Sequence, residues 1–239
     1  MRLIKTFALV ALISLSSPVL GQSLSDFDDA IAASDYGTAF EIAEALAKQG
    51  NAQAQHNLGS MYYQGRGAPQ NYSESAKWHR LAAEQGVAQS QAALGSMYKR
   101  GQGVTQDRSE SAKWHRLAAE QGIAESQIVL GAMYDSGKGV VQNYSEARKW
   151  YRRASEQGHS DAQTLLGFMY QRGLGLEKNP GIAYILFSIA ASKGNEIARK
   201  ERDRVLKGLS SAQTTEAQRL ASEWEVGTPL PKPGDMNTR

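Results

Sequence analysis

From residue 51 to residue 194 the polar and apolar positions follow two helical registers that return every 36 residues. In the first register Ala54, Leu58 and Tyr62 fall at i, i+4 and i+8, one face of a helix. In the second, Ser75, Trp78, His79 and Ala82 fall at i, i+3, i+4 and i+7, a core-facing stripe. The copies are close: Leu58-Gly59, Leu94-Gly95, Leu130-Gly131 and Leu166-Gly167 each precede a Met and a Tyr, and Trp78, Trp114, Trp150 and Leu186 share one slot. A glycine pair follows each first helix (Gly65 and Gly67, then Gly101 and Gly103, Gly137 and Gly139, Gly173 and Gly175), as expected where the chain leaves a helix in a left-handed conformation. Asn71, Asp107, Asn143 and Asn179 are N-cap types for the second helix, and Glu74, Glu110 and Glu146 three residues later suggest a capping box. Gly86, Gly122, Gly158 and Gly194 then end it.

Each unit is therefore expected to be a helix hairpin unable to bury its apolar face alone, so that burial comes from stacking. Units are placed at 51–86, 87–122, 123–158 and 159–194. Burying one indole, 150–250 Å² at about 25 cal/mol/Å², contributes roughly 4–6 kcal/mol before entropy, which makes the tryptophan slot the main rivet. Gly59, Gly95, Gly131 and Gly167 are read as places where a neighbouring backbone approaches closely. The flanks differ. Residues 22–50, with Tyr36, Phe40 and Ala43, read as an N-terminal capping hairpin. Ile182 to Phe187 is apolar nearly all round and needs cover on several sides, supplied by capping helices within 195–225 that include a Ser210/Gln213 capping box. Residues 226–239, with Pro229, Pro231 and Pro233, are expected to form a disordered, polyproline-like tail.

The first 21 residues stand apart. Arg2 and Lys5 precede an apolar run from Phe7 to Leu15, then Ser16-Ser17-Pro18, with Val19 and Gly21 at the −3 and −1 positions of a cleavage site. That is the pattern of a secretory signal peptide, too short for a membrane span. Export, periplasmic or extracellular, and no membrane insertion after cleavage follow as expectations. The chain has no cysteine, which excludes disulfides and thiolate metal sites. Without Arg2 and Lys5 the formal charge falls from +3 to +1, so there is no electrostatic case for nucleic acid.

The residues A-x-x-x-L-G-x-x-Y-x-x-G-x-G, the Asn/Asp cap, and W-x-x-x-A-A-x-Q-G together resemble the Sel-one-like repeat family, a branch of the tetratricopeptide-type helical solenoids. The resemblance covers 51–194, and its fourth copy departs most, with Leu186 for tryptophan and Ile182 for the capping glutamate. It implies an all-α fold: a right-handed α/α solenoid of four 36-residue hairpins with capping hairpins at both ends. It also implies a scaffold for protein–protein contacts, exported bacterial members resembling adaptors in envelope signalling or host-contact proteins. A cysteine-rich secreted branch is described as β-lactamase-like, which this cysteine-free chain does not resemble.

The search for chemistry turns up no serine-nucleophile elbow, zincin motif or phosphate loop. The Gly-x-Gly pairs follow helices, not strands. His79 and His115 occupy a column that holds Tyr151 and Phe187 elsewhere, an aromatic filling slot rather than a metal site. No catalytic residue, metal or cofactor is assigned. What varies between copies is the first-helix face opposite Leu58: His56, Ser60 and Tyr63; Ser96 and Lys99; Ile128 and Asp135; Thr164, Phe168 and Gln171. In solenoids of this type that face lines the concave wall, so these residues are the candidate partner-binding set, with Tyr63 and Phe168 as aromatic anchors. The expected function is a non-enzymatic, monomeric scaffold binding an unidentified protein or peptide in the cell envelope. The alternatives are a cell-wall-directed hydrolase or β-lactam-binding protein, and an envelope assembly chaperone.

Overall fold

The computed structural model describes residues 23–236; the segment read as a signal peptide lies outside them. Among the described residues there are twelve α-helices, one short 3-10 turn and no strand. The helices are α1 (Leu24–Ala32), α2 (Tyr36–Lys48), α3 (Ala52–Gln64), α4 (Tyr72–Glu84), α5 (Ala88–Arg100), α6 (Arg108–Glu120), α7 (Ala124–Ser136), α8 (Tyr144–Glu156), α9 (Ser160–Arg172), α10 (Pro180–Ser192), α11 (Glu196–Leu206) and α12 (Ser211–Glu223). From α1 to α11 each packs on the next along the chain, first helix on second within a unit and second helix on the next unit's first, while α12 returns to pack on α10. The fold is an all-α solenoid of stacked hairpins. None of these helices is long and apolar enough to cross a membrane.

The caps set the helix starts. The side chains of Asn71, Asp107 and Asn143 each accept from two backbone N–H groups, those of the second and third following residues. The glutamates do not complete a reciprocal box; Glu74, Glu110 and Glu146 instead pair with Lys77, Lys113 and Lys149 three residues on. The loop glycines divide their work. Gly65 is the left-handed C-cap of α3, whereas Gly67, also at positive φ, lies against the start of α2, where an added Cβ would sit 2.2 Å from the Tyr36 carbonyl oxygen. Gly103, Gly139 and Gly175 meet α4, α6 and α8 in the same way, so the second glycine of each pair is a joint between units.

A second joint was not read from the sequence. Gln55, Gln91, Gln127 and Gln163 each donate Nε2 to a carbonyl near the end of the preceding second helix: Ala47, Ala83, Ala119 and Ser155. The side chains of Gln85, Gln121 and Gln157 donate in turn to Gln55, Gln91 and Gln127. Both columns are spaced by 36 and buried carbonyls are costly to leave unpaired, which is the signal that could have found them. In the fourth unit Lys193 takes the glutamine's slot and donates to Gly158 instead, leaving Gln163 Oε1 buried without a partner.

Leu58, Leu94, Leu130 and Leu166 are the buried centres of the units. The indoles are uneven: Trp150 is 2% exposed, while Trp78 and Trp114 are half-buried, and Leu186 is buried in the fourth slot. Each indole packs on its own unit's leucine, with Trp150 against Leu130 and Ala119. Trp150→Ala is expected to cost about 3 kcal/mol, the low end for a buried indole because Lys149 and Arg153, 5.6 and 4.8 Å from the ring centre, can settle into the space. An unchanged unfolding midpoint in urea would contradict that packing.

The closely approached glycines meet a ring, not a backbone. A Cβ on Gly59 would lie 3.0 Å from the His79 ring, and one on Gly131 2.7 Å from the Tyr151 ring; Gly95 faces His115 and Gly167 faces Phe187. The tail expectation also fails for 226–236. Leu230 is buried in the same cluster as Phe187 and Val205, its carbonyl accepts from Arg152 at 3.0 Å, and Pro233–Met236 forms the 3-10 turn against α10. Prolines forbid helix here but not docking, and the apolar surface of α10 that α9, α11 and α12 leave open is covered by Leu230 and Met236.

Candidate interaction surface on the row of first helices

In the row of first helices α3, α5, α7 and α9, the pair α3 and α5 is bridged side chain to side chain. His56 Nδ1 lies 2.8 Å from Ser90 Oγ, the Tyr63 hydroxyl donates to Gln102 at 3.1 Å, and Arg100 donates to the Tyr63 hydroxyl at 3.3 Å. Two cavities open on this row. One, of about 250 Å³, is lined by Ser60, Tyr63, Ala93, Ser96, Met97 and Arg100, with His79 as its floor. The other, of about 460 Å³, is lined by Lys99, Arg108, Val129, Asp135, Lys138 and Leu165, with Tyr151 as its floor.

The rings that face Gly59, Gly95, Gly131 and Gly167 vary with the residue behind them. His79 and His115 place Nδ1 3.2 and 3.1 Å from the hydroxyls of Ser90 and Ser126, and where the ring becomes Tyr151 or Phe187 that position becomes Ala162 or Ala198. Burial pushes His79 down to about 3, with neighbouring His56 adding to it, and His115 down to about 4, with Lys99 adding to it. Burial also lowers His56 and, with Asp135, raises Tyr151. These imidazoles are therefore neutral fillers at neutral pH. Ser90 beside two imidazoles has the partners of an activated nucleophile, but it is wholly buried and no carbonyl can reach it. No three His, Asp or Glu side chains gather as a metal site among the described residues.

The candidate residues separate into two groups. Ser60, Tyr63 and Ser96 line the smaller cavity, and Lys99 and Asp135 the larger. The others are committed elsewhere. Thr164 is 5% exposed and its hydroxyl donates to Ser160, because α11 continues the row and lies over α9. Phe168 stacks edge-on against Phe187 at 5.3 Å under Arg172, so it is packing rather than a free anchor. Tyr63, although it lines the smaller cavity, is also held between Tyr72, Gln102 and Arg100. Ile128 packs on Ala124, Ala154 and Ala162, Gln171 donates to Glu201, and His56 is held by Ser90. Arg100, Arg108 and Lys138 were missed; Arg108 begins a second helix and Lys138 sits in a glycine loop, so one helix's face does not contain them.

Stacked hairpins and ring-on-glycine contacts repeated from unit to unit define a repeat solenoid. The chain belongs to the Sel1 repeat family: the family model matches residues 52–87, 88–123, 124–159 and 160–195, one residue later than the units read above. Such proteins are generally protein–protein interaction scaffolds, typically without catalysis. The chain is similar to c5321, a protective antigen of uropathogenic Escherichia coli strains displaying an SLR fold (38% identity, TM-score 0.71), over 78% of this chain and 40% of that one; it thus spans well under half that relative's length. It is also similar to a Sel1 repeat protein from Oxalobacter formigenes, at 29% identity and TM-score 0.72, over 90% of this chain and 82% of that one. No curated protein matches the chain.

Proposed function

We propose that this protein is an exported, monomeric, non-enzymatic scaffold of the bacterial cell envelope that holds a protein or peptide along its row of first helices. The observation carrying this reading is that two cavities open between adjacent first helices and are walled by the positions that change from unit to unit, while the stacking columns stay fixed. Export rests on the N-terminal pattern of residues 1–21, and the protective-antigen description of the Escherichia coli relative supports it. A monomer is favoured because both terminal hairpins carry apolar cover, Phe27 and Ala30 at one end and Ala217 with Leu230 at the other.

The test is photocrosslinking in the native cell from a reactive residue placed at position 96, on the smaller cavity, or at exposed position 113 on a second helix. A partner captured from position 96 and not from 113 is the expected result. Capture from 113 alone would move binding to the second-helix side and end this reading.

A further inference from the structure

We infer that the segment held in this groove is acidic and extended, with apolar side chains between its carboxylates; this rests on the groove reading above. The charge that lines the two cavities carries it. Four second-helix cations are neutralised locally: Lys77, Lys113 and Lys149 pair with glutamates three residues back, and Arg152 with Glu156; Arg80 and Arg116 are tied instead to the hydroxyls of Tyr98 and Tyr134. The groove cations are not. Lys99, Arg108 and Lys138 line the larger cavity with Asp135 as its single acid, and Arg100 lines the smaller one, which has none. All four are exposed, and none forms an ion pair with a carboxylate among the described residues. The two cavities together thus carry four unpaired cations and a single acid, a local excess of positive charge that attracts and orients an anionic partner.

The walls between these charges are apolar: Ala93 and Met97 in one cavity, Val129 and Leu165 in the other. Adjacent units lie on the order of 10 Å apart, so an extended strand at about 3.3 Å per residue brings a side chain to each unit roughly every third residue. Carboxylates on the rim with a leucine-like side chain in each cavity satisfy both surfaces. A nucleic acid fits less well. Its bases would need exposed ring faces, and the row's aromatics are already stacked, Tyr63 on Tyr72 and Phe168 on Phe187.

Fluorescence anisotropy with a short labelled peptide alternating paired Glu with single Leu tests this. The purified protein is expected to bind it at low salt and to ignore the Lys-for-Glu counterpart. Lys99→Glu with Lys138→Glu, at exposed positions where the melting curve should not move, is expected to weaken binding about tenfold or more and flatten its salt dependence. Equal binding of the two peptides, no binding of the acidic one, or tighter binding of a single-stranded oligonucleotide of the same charge would overturn the inference. So would a native partner still captured from position 96 with undiminished yield in the charge-reversed protein. In that case the groove reading stands and the acidic ligand does not. Capture from position 113 alone removes both.

Discussion

Gly103→Ala is expected to destabilise the protein by about 4 kcal/mol or more, whereas Gly122→Ala, also at positive φ, should cost only about 1–2 kcal/mol. The two share the left-handed strain and differ in surroundings. At Gly122 nothing lies within 4 Å of an added Cβ; at Gly103 that atom would sit 1.9 Å from the Tyr72 carbonyl oxygen and 2.3 Å from its carbon. The obstacle is main chain at the capped start of α4, with no rotamer by which to withdraw, so relief requires separating the two units. Units that lean only on their neighbours lose cooperativity when one joint opens. A broadened or two-step urea transition for Gly103→Ala, beside a single slightly shifted one for Gly122→Ala, is the expected pattern. Equal midpoints would mean the glycine loop serves only to end its helix.

That distinction shows what a repeat sequence reveals of its own fold. The hairpins, their caps and the stacking columns were legible because each is local and written four times, so a 36-residue comparison isolates them. The joint role of Gly103 was not, since its contact belongs to a helix some thirty residues earlier. The tail misled for the same reason. Its prolines describe the backbone, whereas Arg152, which bonds Leu230, is 78 residues away. In the two preceding units the equivalent arginines, Arg80 and Arg116, donate to Tyr98 and Tyr134, so only the structure reveals that Arg152 has turned to the tail. The candidate surface was half legible: variation pointed to the helix row on which the cavities open, but burial of Thr164 under α11 and the stacking of Phe168 depend on what covers the last unit.

The second large effect is loss of stability in acid, carried by the buried imidazoles of His79 and His115. His79 and His115 are held at about 3 and about 4 in the folded protein by burial first, then by His56 and Lys99 respectively, against about 6.5 in an unfolded chain. The folded state thus refuses protons that the unfolded state accepts. Stability is complete above about pH 6.5 and drains away as pH falls from there toward the folded values. At pH 4 each histidine should have withdrawn about 3 kcal/mol relative to neutral pH, and both are 2% exposed, so solvent screening offers little relief. Local geometry agrees with the sign: His115 Nε2 is buried with no acceptor, and protonating His79 places a charge 5.4 Å from the His56 ring. The chain supplies its own control, since its fourth unit fills the same slot with Phe187 over Ala198. His115→Phe with Ser126→Ala copies that pair and should remove roughly half of the histidine-linked loss between pH 7.5 and pH 4, while the carboxylate contribution common to both proteins cancels in the difference. Parallel stability curves for the two proteins over that range would show that the imidazole is not kept neutral by its burial, and the account of the buried ring column would fail with it.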